Sequence, residues 1–356
     1  MNEGLPILPT TVVGSYPIPE WMERLKTDYL RGRISRGQLA DVHEMAIKAA
    51  LRDQELAGID IVSDGEVRRD NDIDYFLARL PGVEINRDSK DFYFDYFDVT
   101  LPRPLPSPVG DEFSWLAEDL AFTTSQTQKP VKFSFTGPFS LASRIHNQTG
   151  VGQQQLRLAI AQRLNDAAHA LVEKGATLLQ IDEPFLAGYP GEAENAVAAI
   201  NVVTAGVDVS WALHVCYGNR YSRPAWEGHY DFLFPAVLEA EVDQLVLEFA
   251  RKGYADLPII EKCGWDRMIG LGVIDVKSQQ VESAETVATR IRAALELVPA
   301  EQLVINPDCG LRNVSSAVAR AKLTAMVEGT AQVRQSLEPT IVTEPAVTPE
   351  PVTQGA

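Results

Sequence analysis

The chain has 356 residues, of which 45% are hydrophobic and 8% aromatic, so it can bury a large core and wholesale disorder is excluded. Its formal net charge of −17 would repel a phosphate backbone, and no lysine- or arginine-rich run offsets that charge locally, which excludes nucleic acid as a partner. No stretch approaches the roughly 20 apolar residues that a membrane span needs, and the first residues lack a signal-peptide pattern. We therefore expect a cytoplasmic protein with no membrane partner.

A short apolar run, rich in β-branched residues and ending in Gly, Asp, Glu or Cys, recurs eight times. The runs are 8–14 (LPTTVVG), 59–64 (IDIVSD), 131–137 (VKFSFTG), 176–182 (ATLLQID), 211–216 (WALHVC), 244–248 (QLVLE), 268–275 (MIGLGVID) and 302–308 (QLVINPD). Such near-continuous apolar runs are typical of strands buried on both faces. Helix-compatible segments lie between them, at 36–57, 152–175, 283–298 and 313–335, and Gly58 and Gly175 stand where helix C-caps are expected.

Strands that alternate with helices predict parallel pairing, and eight such units predict closure into a barrel. The expected fold class is therefore α/β, a (β/α)₈ TIM barrel that occupies residues 1–336 as one catalytic domain. An open, doubly wound sheet would need a glycine-rich nucleotide-binding loop after its first strand, and VVGSYP at 12–17 is not such a loop.

Two regions depart from the repeating pattern. Residues from about 68 to 129 exceed a normal barrel loop, and the alternating aromatic and acidic stretch DFYFDYFDV at 91–99 predicts a hairpin-like insertion after the second strand. This insertion could lie beside the site or serve as a plain structural flap. The segment 337–356 is rich in Pro, Thr, Glu and Val without periodicity, which predicts a disordered tail.

Polar residues stand at the carboxyl ends of the predicted strands. In a barrel these ends converge on one mouth, where active sites lie. The residues are Ser15, Asp64, Glu66, Asp182, Glu183, His214, Cys216, Glu248, Asp275 and Cys309.

His214 and Cys216 are two residues apart on one strand, so their side chains point to the same face and can bind one metal ion. Glu248 and Cys309, at the ends of other strands, complete a set of four. Two thiolates, an imidazole and a carboxylate suit zinc, whereas magnesium and calcium prefer oxygen throughout. Taken singly, each cysteine could be a buried hydrophobic residue, His214 a hydrogen-bonded core residue and Glu248 the partner of an arginine.

The cysteines number only three, which is a small and odd number for a disulfide framework. This favours a reducing compartment. Cys263 precedes the seventh predicted strand and is therefore expected at the opposite end of the barrel, where it would be inert. Glu66 and Asp182 could act as general acids and bases or could hold a substrate ammonium group. No serine-nucleophile pattern accompanies them, which favours substrate binding.

Seven stretches, in order from about residue 8 to 333, resemble the catalytic half of the cobalamin-independent methionine synthase family. They are VVGSYP (12–17), SDGEVRRDND (63–72), FTGPFS (135–140), QIDEP (180–184), HVCYGN (214–219), LEFA (247–250) and NPDCGL (306–311). The resemblance implies one zinc ion bound by His214, Cys216, Glu248 and Cys309. It implies that Val13, Gly14, Ser15, Glu66 and Asp182 bind homocysteine, whose thiol the zinc activates before methylation to methionine.

The methyl donor is the point at which the chain departs from the long form of that family. Lys277, in GVIDVKS, stands where the family has a histidine that protonates the departing folate nitrogen. The family also has a tryptophan shortly after TGP that packs on the pterin ring, and FTGPFSLASRIHN at 135–147 contains none. The chain is also about half as long. Because cobalt leaves a methylcorrinoid as the reduced metal and needs no proton, we expect methylcobalamin or a corrinoid methyl-carrier protein as donor.

Lys277 and Asp275 are the candidate catalytic residues, since Lys277 could still serve as an acid. Three alternatives remain open at this stage: a folate-dependent methionine synthase, an enzyme like the epoxide:coenzyme M transferases, and a non-catalytic thiol or metal sensor. A sulfonated thiol carries no ammonium group, so it would have no use for Glu66 and Asp182.

Overall fold

The computed structural model describes residues 4–91, 95–108 and 113–337. Its helices are α1 Glu20–Leu30, α2 Arg36–Ala57, α3 Asp74–Leu77, α4 Trp115–Ser125, α5 Pro138–Ser143, α6 Gln153–Glu173, α7 Ala193–Thr204, α8 Pro258–Lys262, α9 Ala284–Leu295 and α10 Ser316–Leu337. Its strands are β1 Glu84–Lys90, β2 Phe97–Leu101, β3 Lys132–Thr136, β4 Ile145–Asn147, β5 Leu178–Asp182, β6 Ser210–Val215, β7 Gln244–Leu247, β8 Met268–Ile274 and β9 Leu303–Pro307. The predicted tail, apart from Leu337, lies outside the described residues.

Six parallel strands form one sheet in the order β3-β5-β6-β7-β8-β9. Two further segments link its edges through isolated parallel bridges, Thr10 to Ile305, Thr11 to Ile61, and Val62 to Val131. Backbone hydrogen bonds follow the same path, for example from Thr11 N–H to Ile305 C=O at 2.8 Å and from Lys132 N–H to Val62 C=O at 2.8 Å. The strand order and these bridges match the predicted TIM barrel, in which the first two strands are represented only by isolated bridges.

Local sequence explains where the long helices begin and end. At the start of α2, Ser35 Oγ accepts from Gln38 N–H at 3.2 Å, and Gln38 Oε1 accepts from Ser35 N–H at 2.8 Å, which forms a capping box. The same helix ends at Gly58, whose φ of 86° is left-handed and therefore suits glycine. Among the described residues, we found no helix that has both the length and the apolar character needed to span a membrane.

Apolar side chains between strands and helices form the main core, whereas the barrel interior is largely polar. A separate apolar cluster consists of Val13, Ala212 and Val246. Strand alternation places Ala212 on the same face of β6 as His214, and Val246 on the same face of β7 as Glu248. Fully buried polar side chains of the six-stranded sheet include Lys132 on β3, Gln180 on β5, Gln244 on β7 and Asn306 on β9.

The insertion contains the predicted hairpin. Strands β1 and β2 pair antiparallel, and β2 pairs parallel with β4 through Val99 and Ile145. At the start of β2, the Tyr96 hydroxyl donates to Asp72 Oδ1 at 2.7 Å, and the Phe97 N–H donates to Asp74 Oδ1 at 3.1 Å. These bonds fasten the end of the hairpin to the loop that follows the second barrel strand. Residues 92–94 of the aromatic stretch lie outside the described residues.

Candidate active site

The carboxyl ends of the barrel strands surround a cavity of about 560 Å³. Eight of the predicted site residues line it: Val13, Gly14, Ser15, Glu66, Asp182, His214, Cys216 and Cys309. Asp95, Tyr96 and Phe97 of the hairpin also line it, so the insertion lies beside the site. Glu248, Asp275 and Lys277 are not part of the cavity wall.

His214, Cys216 and Cys309 form the candidate metal centre. Their ligand atoms all lie within 4.8 Å of one another, and the two sulfurs are 3.5 Å apart. His214 Nδ1 lies 3.0 Å from the Val246 carbonyl oxygen, which fixes the ring, whereas the buried Nε2 has no hydrogen-bond partner. A backbone carbonyl that accepts from one ring nitrogen and leaves the other free is the usual arrangement of a metal-binding histidine.

The two neighbouring cysteine thiols of this cluster favour the binding of a cation. The adjacent Cys216 sulfur and burial together raise the pKa of the Cys309 thiol well above its usual value, although His214 opposes them. Two thiolates can therefore coexist here only beside a positive charge, which a divalent ion provides. The donor set of one nitrogen and two sulfurs suits zinc, which binds such ligands tetrahedrally.

Glu248, the fourth residue of the predicted ligand set, is held by two cations instead of joining this cluster. Its Oε2 lies 2.7 Å from Lys277 Nζ, and its Oε1 lies 2.8 Å from Arg251 Nε. The Glu248 side chain is fully buried, and the Lys277 side chain is 3% exposed. The arginine pairing that the sequence left open for Glu248 is thus present.

The two candidate catalytic residues lie behind the cavity wall. Lys277 contacts Glu248, as described above. Asp275 Oδ1 accepts from the Lys277 N–H at 2.8 Å, so its carboxylate shapes the turn that carries the lysine. The geometry thus gives Asp275 a structural contact with Lys277, and its predicted catalytic role stays a prediction.

Glu66 and Asp182 both line the cavity, and each is held by its own hydrogen-bond partner. Glu66 has a left-handed backbone, with φ of 53°, and its Oε1 accepts from Ser134 Oγ at 2.9 Å and lies 3.4 Å from Arg69 Nη1. Asp182 Oδ1 accepts from Gln180 Nε2 at 2.6 Å. Burial raises the pKa of Asp182 to about 7, so a cation placed beside it would stabilise its charged form.

Sequence reasoning missed several residues that organise the site. Arg251 is one, and Asp308 is another: its buried carboxylate accepts from the N–H groups of Phe249, Ala250 and Arg251 at 2.8 to 3.0 Å. Asp308 stands directly before Cys309, which is the signal that could have drawn attention to it. Trp226 was also missed, and it lines the cavity from the loop after β6, where its ring packs edge-on to Phe185 at 5.2 Å.

Comparison with known proteins places this geometry in a family. The sequence profile of the family described as cobalamin-independent synthase, catalytic domain, matches residues 8–332. The methionine synthase of Saccharolobus solfataricus is 34% identical over 338 residues, which cover 94% of this chain and 97% of that protein. The chain belongs to the cobalamin-independent methionine synthase family.

A second relative and a solved structure support this assignment by sequence and structural similarity. The methionine synthase of Sulfurisphaera tokodaii is 33% identical over 340 residues, which cover 94% of this chain and 95% of that protein. A B12-independent methionine synthase from Shewanella sp. W3-18-1, solved in complex with selenomethionine, superposes with a TM-score of 0.80 at 28% identity and covers 93% of this chain and 99% of that one. The chain is accordingly an enzyme, a methyltransferase of the methionine synthase type, which confirms the resemblance, the fold class and the enzyme class predicted from sequence.

Proposed function

We propose that the enzyme methylates the thiol of homocysteine, with one zinc ion held by His214, Cys216 and Cys309. The observation that carries this proposal is that three metal-ligand side chains share one cavity with two carboxylates, Glu66 and Asp182. Zinc, when bound, supplies positive charge that favours the thiolate form of a coordinating thiol at neutral pH. A thiol that also carries an ammonium group is the substrate that would contact both the metal cluster and the two carboxylates.

The protein's own residues bind and orient this substrate. The carboxylates of Glu66 and Asp182 attract its ammonium group, and Ser15, which lines the same cavity, binds its carboxylate end. Gln180 and Ser134 hold the two acidic side chains in place by the hydrogen bonds described above. With both ends of the amino acid fixed in this way, its sulfur would be directed toward the metal cluster rather than toward solvent.

We further propose that the methyl donor is a methylcorrinoid, free or bound to a carrier protein. The substrate sulfur attacks the methyl carbon, the new C–S bond forms as the Co–C bond breaks, and cobalt keeps the bonding electron pair. This leaving group takes no proton. Support comes from Lys277, which stands where a folate-using enzyme needs an acid but lies behind the cavity wall against Glu248.

A donor assay tests this proposal. Zinc-loaded enzyme is given homocysteine with either methylcobalamin or methyltetrahydrofolate, and methionine is quantified. We expect turnover with methylcobalamin and at most trace product with the folate. Turnover with methyltetrahydrofolate alone would contradict the corrinoid proposal and support the folate-dependent alternative.

Substitution of Gly14 by alanine should weaken substrate binding. A Cβ at Gly14 would lie 2.1 Å from Glu66 Oε1, so the carboxylate must move out of its position. We expect the KM for homocysteine to rise about tenfold, with a smaller change in kcat, because displacement of a binding group costs affinity first. Gly37→Ala is the matched control, since its Cβ would meet Ser35 Oγ at a comfortable 3.8 Å. An unchanged KM in Gly14→Ala would argue against Glu66 as a substrate ligand.

A further inference from the structure

The turn that carries Glu66 into the cavity has an unusual backbone. Gly65 and Glu66 both have positive φ angles, 68° and 53°. This left-handed conformation is unfavourable for a residue with a side chain, so it persists only where its surroundings impose it. Part of the constraint is local, because Asp64 Oδ1 accepts from the Glu66 N–H at 2.8 Å. The direction in which the Glu66 carboxylate points therefore depends on the contacts that fix this turn.

Arg312 supplies the long-range part of the constraint. Its Nη1 donates to the carbonyl oxygens of Arg69 and Asp70, each at 2.8 Å, and its Nη2 donates to the carbonyl oxygen of Glu66 at 3.0 Å. The planar guanidinium carries five N–H donors in a fixed fork, so one side chain can hold several acceptors at once. The turn after the second barrel strand is thereby attached to the segment that follows β9.

The segment on either side of this arginine is itself fixed by other loops of the barrel mouth. The Leu311 N–H donates to the Ser15 carbonyl oxygen at 2.7 Å. Asn219 Nδ2 donates to the Gly310 carbonyl oxygen at 3.1 Å, and Asn313 Nδ2 donates to the Asn219 carbonyl oxygen at 2.8 Å. These bonds join the segment to the loops after the first barrel strand and after β6. The arginine therefore holds the turn from an anchored backbone.

We propose that Arg312 is a positioning residue: by holding the turn at Glu66, it fixes the carboxylate that receives the ammonium group of the substrate. This inference rests on the proposed function and adds to it a residue that acts through Glu66 rather than by touching the substrate. Loss of the guanidinium would release three carbonyl groups and allow the left-handed turn to relax. The Glu66 carboxylate would then leave its place beside Ser134 Oγ.

Two thiols that differ only in the ammonium group test this role. Homocysteine and its desamino analogue share the thiol, the chain length and the carboxylate, and calorimetric titration of zinc-loaded protein measures the Kd of each. We expect Arg312→Met to raise the Kd for homocysteine about tenfold and the Kd for the desamino analogue by less than about twofold. Arg312→Lys keeps the positive charge but not the fork of donors, so its loss should be intermediate.

A double variant shows whether the effect passes through Glu66. In a Glu66→Gln background, Arg312→Met should add little further loss, because the effects of two residues that act through one contact are not additive. Arg292→Met is the matched control, since Arg292 lies on α9 and pairs with Glu285 at 3.2 Å, and this variant should bind both thiols like the wild type. Thermal unfolding curves check that each variant is folded.

Three outcomes would overturn the proposal. Equal losses for both thiols would place Arg312, which also lines the cavity, against the carboxylate of the substrate instead. Full additivity with Glu66→Gln would show that Arg312 does not act through that residue, and an unchanged Kd for homocysteine in Arg312→Met would show that it does not act on binding. If the wild-type protein binds neither thiol, the proposed function itself is refuted, and this inference with it.

Discussion

Replacement of Cys309 by serine is expected to remove the proposed zinc ion and to abolish methionine formation. Cys309 and Cys216 provide the two sulfurs, 3.5 Å apart, of the proposed zinc site. A serine hydroxyl does not ionise near neutral pH and binds zinc far more weakly than a thiolate, so only two of the three ligands would remain. We expect metal affinity to fall at least about a hundredfold, with a similar or larger loss in kcat/KM.

Metal content per chain, measured after dialysis against a weak chelator, checks this prediction. Cys263→Ser is the matched control, because Cys263 lies at the end of α8, before β8 and therefore at the opposite end of the barrel. It should keep full metal and activity. If the purified enzyme holds no zinc and Cys309→Ser changes neither metal content nor turnover, the proposed metal centre is wrong.

Substitution of Asp182 by asparagine should cause the second largest loss, and the loss should be selective for amino-acid thiols. Asp182 is half-buried at the end of β5, and its charge is the feature that would attract the ammonium group of homocysteine. Hydrogen bonds to charged groups contribute about 1.5 to 3 kcal/mol, so we expect the Kd for homocysteine to rise about ten- to a hundredfold. Glu66→Gln should act in the same direction.

Calorimetric titration with homocysteine and with coenzyme M, on zinc-loaded protein, measures the selectivity. Wild-type protein should prefer homocysteine, because two carboxylates repel a sulfonate, and Asp182→Asn should lose that preference. Asp208→Asn, at an exposed position before β6, is the control. Tighter binding of coenzyme M than of homocysteine by the wild type would favour the epoxide-opening alternative, and tight homocysteine binding without turnover would favour a sensor.

The fold could be predicted because its signal is local and repeated. Each of the last six apolar runs coincides with an observed strand, and the bounds differ by two residues at most. The first two runs match the structure less closely, because they form only isolated bridges and no continuous strand. Pro9 in the first run has no N–H to donate, although its carbonyl accepts from Ile305 N–H at 2.8 Å.

The site could be predicted only in part. The positions of His214 and Cys216 follow from strand alternation, and Cys309 follows from the convergence of strand ends. The surroundings of Glu248 could not be predicted, because Lys277 and Arg251 approach it from two different loops. Residue spacing along the chain does not show whether a buried carboxylate pairs with a cationic side chain or binds a metal ion.

The depth of the cavity has a kinetic consequence. Among the proposed metal ligands, Cys216 lies deep in the cavity and is 1% exposed, whereas Leu30 and Tyr221, which also line it, are 82% and 66% exposed. A small amino acid can reach the floor only while the rim is clear, and a bulky donor seated at the rim would close the way in. Substrates should therefore add in a compulsory order, with the amino acid first, and methionine should leave last, so that it inhibits competitively against homocysteine.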